Sequence, residues 1–252
     1  MLFYGKTDVG RRRAANQDDF VIKKYSDDTI VAVVCDGMGG ANGGNIASAV
    51  ASDAFMRILD EADAENPSFF GMDEEKILDM LRSAVEEANI SVYDLSAEDP
   101  SLMGMGTTLV GCVLCGEKLY VVNVGDSRLY LYHADGSFEQ ISHDHSYVQM
   151  LVDMGKLSAE EAKKSKNKNL ITRAVGTERK VETDVFTAEV ERGDTVVLCS
   201  DGLTNLVEPE EIADEVKTAA LAEDLQTACE SLVALANERG GLDNITAVLL
   251  NV

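Results

Sequence analysis

The chain has 252 residues, 45% of them hydrophobic and 27% charged, the composition of a soluble globular protein with room for one sizeable core. Its 22 basic and 45 acidic residues leave a formal charge of −23, which opposes binding to DNA or RNA through a general basic footprint. No apolar run approaches the roughly 18–20 residues that span a bilayer, and arginines after a very short apolar start reverse the order of a secretory signal. The expectation is a cytoplasmic protein of one domain, 1–252.

Near the N-terminus, "RRRAANQDDF" (11–20) precedes a strand-like segment that begins near Phe20. Its Arg13 is either part of a solvated basic face or, beside a metal site, a bidentate phosphate ligand. "TIVAVVC" (29–35) is rich in β-branched residues and reads as a strand buried on both faces. It ends in "CDGMGG", and "ANGGNIAS" follows, with five glycines within eight positions. Glycine weakens helices and strands alike, so such a cluster marks backbone that turns sharply or lies against something with no side chain between.

Helical periodicity follows from Asn45 to about Leu59. It returns in "DEEKILDMLRSAVEEANISVYDLS", where Ile77, Leu81, Ala84, Val85, Ala88 and Val92 recur three and four apart behind an acidic first turn. "TTLVGCVLC" (107–115) is the next strand. Its Cys112 and Cys115 are spaced C-x-x-C, yet residues i and i+3 of a strand point to opposite faces. With Cys35 and Cys199 in similar apolar runs, they read as reduced core thiols rather than a metal or redox pair.

"KLYVVNVGDSRLYLYH" (118–133) reads as a hairpin of two short strands around "GDSR". The segment from about 146 to 176 differs from the rest. It has one short helix, with Ser158 and Glu161 in capping-box register, and a basic run, Lys163, Lys164, Lys166 and Lys168, in an acidic chain. It reads either as a surface flap or as a solvated helix end whose lysines face water and the helix dipole. The strand "DTVVLCS" (194–200), a helix from about Leu221 to Asn237 and the strand "NITAVLLNV" (244–252) complete the pattern. Strands and helices in separate runs indicate a layered α+β fold with antiparallel sheets.

Four aspartates stand at strand edges beside glycine: Asp36, Asp126, Asp201 and Asp243. Each alone is an ordinary turn signal. Converging at buried strand ends, they would repel one another. A divalent cation removes that difficulty, and carboxylates, a carbonyl exposed by a glycine, and water make the oxygen shell that suits Mg²⁺ or Mn²⁺. Zinc-type His and Cys spacing is missing from the sequence, whose histidines are His133, His143 and His145.

In order along the chain, "RRRAANQDDF", "CDGMGG", "GMGTTLV", "VGDSRLYL", "DHSYVQMLVDMG", "ITRAVG", "SDGLTN" and "GGLDNITAVL" resemble the motifs of the bacterial metal-dependent protein phosphatases of the PPM (type 2C) class. The resemblance implies a four-layer α-β-β-α sandwich with two central antiparallel sheets, a flap, and a two-metal centre at one end. By position, Asp36 resembles the bridging ligand and Gly37 a carbonyl ligand of one metal. Asp201 and Asp243 resemble ligands of the other. Asp126 with Asp201 resembles a weaker third site, Asp18 an acid that orients a water, and Arg13 the phosphate clamp.

The implied cofactors are two Mn²⁺ or Mg²⁺ ions with a third bound weakly. The implied reaction is in-line attack on phosphoserine or phosphothreonine by hydroxide from a bridging water. The implied substrates are proteins phosphorylated by a Ser/Thr kinase, met by a monomer; the flap lysines would then face acidic phosphopeptides. Two other readings remain: a catalytically weak binding module on the same fold, and a phosphatase of small metabolites. The binding module takes its weight from a departure, since Ala41 and Asn45 occupy positions where many bacterial members carry His and Glu. His145 is one substitute as proton donor, with a structural role as its alternative.

Overall fold

The computed structural model describes residues 1–69, 71–222 and 224–252, and only the backbone at 40–42 and 221. The side chain of Ala41 thus lies outside the described residues. In chain order the first elements are strands β1 (Leu2–Asp8), β2 (Asp18–Lys24) and β3 (Thr29–Met38), then helices α1 (Gly40–Glu65) and α2 (Glu74–Glu98). Strands β4 (Gly106–Thr107), β5 (Leu109–Cys115), β6 (Lys118–Val124), β7 (Arg128–Tyr132) and β8 (Phe138–Gln140) come next. Two short helices, α3 (Tyr147–Asp153) and α4 (Ala159–Lys163), lead to strands β9 (Asp184–Glu189) and β10 (Thr195–Cys199). Helices α5 (Asp201–Thr204), α6 (Pro209–Ala222) and α7 (Leu225–Glu238) and strand β11 (Ile245–Asn251) follow.

One sheet has the order β1-β11-β10-β7-β8 and the other β2-β3-β5-β6-β9, with β4 paired to β3. Every described pairing is antiparallel. Period-two alternation of side chains explains why central strands such as β3, β5, β10 and β11 are apolar almost throughout. In β3, Val31, Val33 and Cys35 join the core under α1 and α2, whereas Ile30, Ala32 and Val34 join the core between the sheets. In β11, Ile245, Ala247 and Leu249 face α6 and α7, and Val248 and Leu250 face the other sheet. Helices on both outer faces make this the expected four-layer sandwich. Cys112 and Cys115 fall on opposite sides of β5, and all five cysteines are free.

Helix α2 forms as its pattern predicts. Asp73 caps it by accepting the Lys76 amide at 3.0 Å, and the six apolar positions named above are buried. Its Asn89 is buried too. The side chain accepts the Gly176 amide at 2.8 Å and donates to the Glu178 carbonyl at 3.0 Å, so the chain beyond the flap is tied onto this helix. The capping box of Ser158 and Glu161 at α4 is present.

Three expectations change. The stretch 118–133 is not a hairpin: β6 pairs with β5 and β9, and β7 with β10 and β8, in different sheets. Leu119 and Val121 face Leu129 and Leu131 across the inter-sheet core, so the alternation is the same whether two strands lie side by side or on opposing sheets. Gly125, at φ +109°, makes the crossing, where a Cβ would stand 2.6 Å from a Thr108 methyl. The helix expected over 221–237 is the end of α6 plus α7, which Asp224 caps by accepting the Thr227 amide at 3.0 Å. Helix α1 begins at Gly40 rather than Asn45, so part of the glycine cluster is helical.

Close approach is what that cluster serves. A Cβ on Gly37 would lie 2.0 Å from the Gly44 carbonyl oxygen and 2.6 Å from that of Gln17, and one on Gly44 would meet the Gln17 amide at 2.7 Å. The end of β3, the first turns of α1 and the loop before β2 therefore touch backbone to backbone. Gly37→Ala forces these apart and is expected to cost about 1–3 kcal/mol, read as a lower urea midpoint at unchanged m-value.

Candidate active site

Topology brings the five sequence-selected aspartates to the same end of the two sheets. Asp36, near the end of β3, lies opposite Asp18 on β2. Asp201 follows β10 as the first residue of α5, Asp243 precedes β11, and Asp126 sits in the corner between β6 and β7. A cleft of about 530 Å³ is lined by Asp36, Gly37, Asp126, Asp201, Asp243 and Arg13, among others. Asp18 is behind this wall. Its Oδ2 accepts hydroxyl hydrogens from Ser200 and Thr246, each at 2.7 Å.

Burial and mutual repulsion dominate the electrostatics. Burial foremost pushes the Asp18 carboxyl up to about 7, against the two hydroxyl hydrogen bonds. Burial, then the charges of Asp201 and Asp144, pushes Asp126 up to about 8. Asp36 is raised well above the carboxylate range by burial, then by Asp18, Asp201, Asp126 and Asp243. Asp201 is raised by burial and Asp243, opposed by hydrogen bonds with Asp36 and Asn205. A divalent cation would relieve this repulsion.

The donor set fits a hard divalent cation. The buried Oδ1 atoms of Asp18 and Asp201 have no hydrogen-bond partner, a costly state for a carboxylate oxygen unless positive charge meets it. Among the described residues, no three His, Cys, Asp or Glu side chains close into a ligand cage alone. A cation here would complete its shell from carbonyl oxygen and water, as Mg²⁺ and Mn²⁺ do and structural Zn²⁺ does not.

Arg13 stands half exposed at the cleft, with Nη2 donating to Asp243 Oδ2 at 2.6 Å. Asn244 holds the loop that carries it: Nδ2 donates to the carbonyls of Val9 and Ala15, at 2.9 and 3.0 Å, and Oδ1 accepts the Gln17 amide at 2.9 Å. Thr108 performs the same service for Asp36. Its Oγ1 accepts the Asp36 amide at 2.9 Å and bonds Ser127 Oγ at 2.7 Å, joining the end of β3 to the Asp126 corner. None of these positioning residues was singled out by sequence reasoning, although each lies inside a quoted motif.

The Asp126 corner is clamped from its other side. Arg128 donates from Nε and Nη2 to Asp144 at 2.7–3.0 Å and from Nη1 to the Tyr130 hydroxyl at 2.9 Å. Gln140 adds a 2.8 Å bond to Asp144. Beside them His145 accepts the Gly125 amide at Nδ1, 3.0 Å, which leaves the proton on Nε2 facing Asp184 at 3.1 Å. Burial lowers its pKa. His145 therefore fills its structural alternative, since both ring nitrogens are committed to the scaffold. Of the flap lysines, Lys163 is held by Glu208 at 2.5 Å and Lys164 lies 4.0 Å from Glu160. Lys168 lines a hollow that Asp126 and Asp201 also line.

The family model described as protein phosphatase 2C matches residues 9–237. The chain belongs to the protein phosphatase 2C family. A serine/threonine phosphatase, stp, of Listeria welshimeri is 36% identical over 245 residues, which cover 97% of this chain and 93% of that protein. The serine/threonine phosphatase PstP/Ppp of Mycobacterium tuberculosis superposes with a TM-score of 0.87 at 33% identity, over 100% of this chain and 98% of the other. The catalytic domain of a serine/threonine protein phosphatase PstP in complex with two manganese ions gives a TM-score of 0.82 at 34% identity, covering 99% and 97%. The chain is thus a bacterial-type 2C protein phosphatase, from a metal-dependent family.

Two outcomes follow from this site. Asp144→Ala leaves Arg128, 26% exposed, without its carboxylate and is expected to destabilise the protein by at most about 3 kcal/mol, measured by denaturant titration. The raised carboxylates mean that, without metal, the folded state binds more protons than the unfolded state, so stability falls as pH rises from the ordinary carboxylate range towards 7–8. A metal-stripped sample is expected to lose melting temperature between about pH 5 and pH 8, and Mn²⁺ to restore more of it at the higher pH.

Proposed function

We propose that Asp36, the Gly37 carbonyl, Asp201 and Asp243 hold two divalent cations, Mn²⁺ or Mg²⁺, that Asp126 with Asp201 holds a weaker third, and that phosphoserine and phosphothreonine in proteins are hydrolysed there. The observation that carries this reading is the convergence of four mutually repelling aspartates on one cleft, with Asp18 directly behind them and unpartnered buried oxygens on Asp18 and Asp201. Cations in such a site lower the pKa of water and stabilise negative charge on phosphorus.

The chain's own groups position the reactants. Arg13 is anchored through one nitrogen to Asp243, and its remaining N–H groups form the fork that takes two phosphoryl oxygens. Asp18 is fixed at Oδ2 by Ser200 and Thr246. Its unpartnered Oδ1 is the place to take a hydrogen bond from a water and so orient it. The clamp of Arg128, Asp144 and His145 keeps Asp126 in place. With Ala41 at the first turn of α1, the leaving oxygen takes its proton from solvent.

The protein reads as a cytoplasmic monomer acting on the products of a Ser/Thr kinase. Its five free cysteines suit a reducing compartment, its charge of −23 opposes self-association, and no helix among the described residues is long and apolar enough to cross a membrane. Steady-state hydrolysis of a phosphothreonine peptide and an aryl phosphate tests the reading. Both should be cleaved only with Mn²⁺ or Mg²⁺, Asp36→Asn should lower kcat/KM at least about 10²-fold, and Ala41→His should change either rate less than about 10-fold. A wild type that leaves the peptide intact under these conditions refutes it, and favours the binding module.

A further inference from the structure

Two grooves share walls with the catalytic cleft. One, of about 210 Å³ beneath the flap, shares Asp126 and Asp201 with it and carries Arg128, Asp144, Lys163 and Glu208. Charges of both signs line it, and the Lys163–Glu208 pair joins two of its walls. The other, of about 390 Å³, shares Met38 and Ile171 with the cleft, and Ala174 and Val181 extend the apolar surface. Lys180 on its rim also lines a hollow of about 130 Å³ with Ile90 and Tyr93 of α2. Cleft, groove and hollow thus form one continuous track.

The track is preformed. Asn89 of α2 bonds both Gly176 and Glu178, Val175 exchanges two backbone hydrogen bonds with Thr107, and Arg173 is fastened to Asp184 at 2.6 Å and Glu182 at 3.2 Å. Of the charged residues that line it, Arg173 is thus paired, and Glu178, Lys180 and Glu182 are exposed to solvent, while Met38, Ile171, Ala174 and Val181 supply its apolar contacts. A phosphoresidue in the cleft belongs to a polypeptide that must leave on some side. The groove under the flap confronts that polypeptide with the buried carboxylates of Asp126 and Asp144; in the other, Glu178, Lys180 and Glu182 are exposed and keep their solvation while an apolar side chain meets the methyl-bearing residues.

We propose that the groove of Met38, Ile171, Ala174 and Val181 is a substrate subsite, which takes an apolar side chain of the phosphoprotein within a few residues of its phosphoserine or phosphothreonine. This rests on the phosphatase reading and adds a selectivity to it. Val181 is the specificity-determining residue best suited to test it, because it is half-buried on the groove floor and lines only the groove, not the cleft.

The experiment scans a phosphothreonine peptide with leucine or aspartate at each position on both sides of the phosphoresidue, in the presence of Mn²⁺. The wild type should prefer leucine over aspartate at one position or two adjacent ones, roughly 10-fold in kcat/KM and mainly through KM. Val181→Asp should abolish that preference, and Val181→Thr weaken it, with aryl phosphate hydrolysis unchanged. If Val181→Asp also loses aryl phosphate hydrolysis through misfolding, Val181→Thr and the wild-type scan decide. A flat wild-type scan, or a leucine preference that survives substitution at Val181, overturns the subsite while aryl phosphate hydrolysis upholds the phosphatase. A wild type that cleaves neither substrate removes both.

Discussion

Mutual repulsion among carboxylates that the fold will not let separate is the constraint on which this molecule turns. Each aspartate is set by an element with reasons of its own to end there: Asp36 and Asp18 by the ladder between β3 and β2, Asp201 and Asp243 by the ends of loops joining β10 and β11 to helices. Strands β3, β10 and β11 are buried on both faces, so the sandwich cannot relax to spread the charges without exposing its inter-sheet core. The stability of the scaffold is thereby converted into a local electrostatic demand for cations. The stabilisation from packing is spread over the layers; the strain is confined to one end.

What satisfies the rest of the site is neutral and short. Thr108, Ser127, Ser200, Thr246 and Asn244 place hydroxyl and amide groups between the acids and the backbone that carries them. These groups are buried or half-buried and fully occupied, which gives each acid one geometry. The exception is the charged clamp of Arg128 and Asp144, which stands at the crossing between sheets, where the chain has no ladder to hold it.

Much of this was legible in the sequence. Apolar strands closed by Asp and Gly, an α2 with its capped acidic start, and the order of motifs led to the layers and to every aspartate of the cleft. What was not legible has a common cause: period-two patterning reports that a residue is buried but not what it is buried against. The stretch around Gly125 was read as a hairpin because Leu119 and Leu129 alternate correctly for either arrangement. Asn89 gave no signal of its own, and His145 stayed open between a proton donor and a structural role, because a hydrogen bond to a backbone amide distant in sequence leaves no mark in composition.

One feature of the topology reaches beyond the folded molecule. Strand β1 is hydrogen-bonded along its whole length to β11, from the opposite end of the chain, and β11 with the residues before it supplies Asp243, Asn244 and Thr246 to the site. During synthesis the first strand must therefore wait, unpaired on that side, until nearly all of the described chain has emerged, and such long-range closure is slow. Until then Asp18 lacks one of its two hydroxyl partners, Arg13 its anchor and the Arg13 loop its fastening. A chain that lacks β11 and the residues just before it is consequently left with an unfinished cleft, however well its other strands have packed.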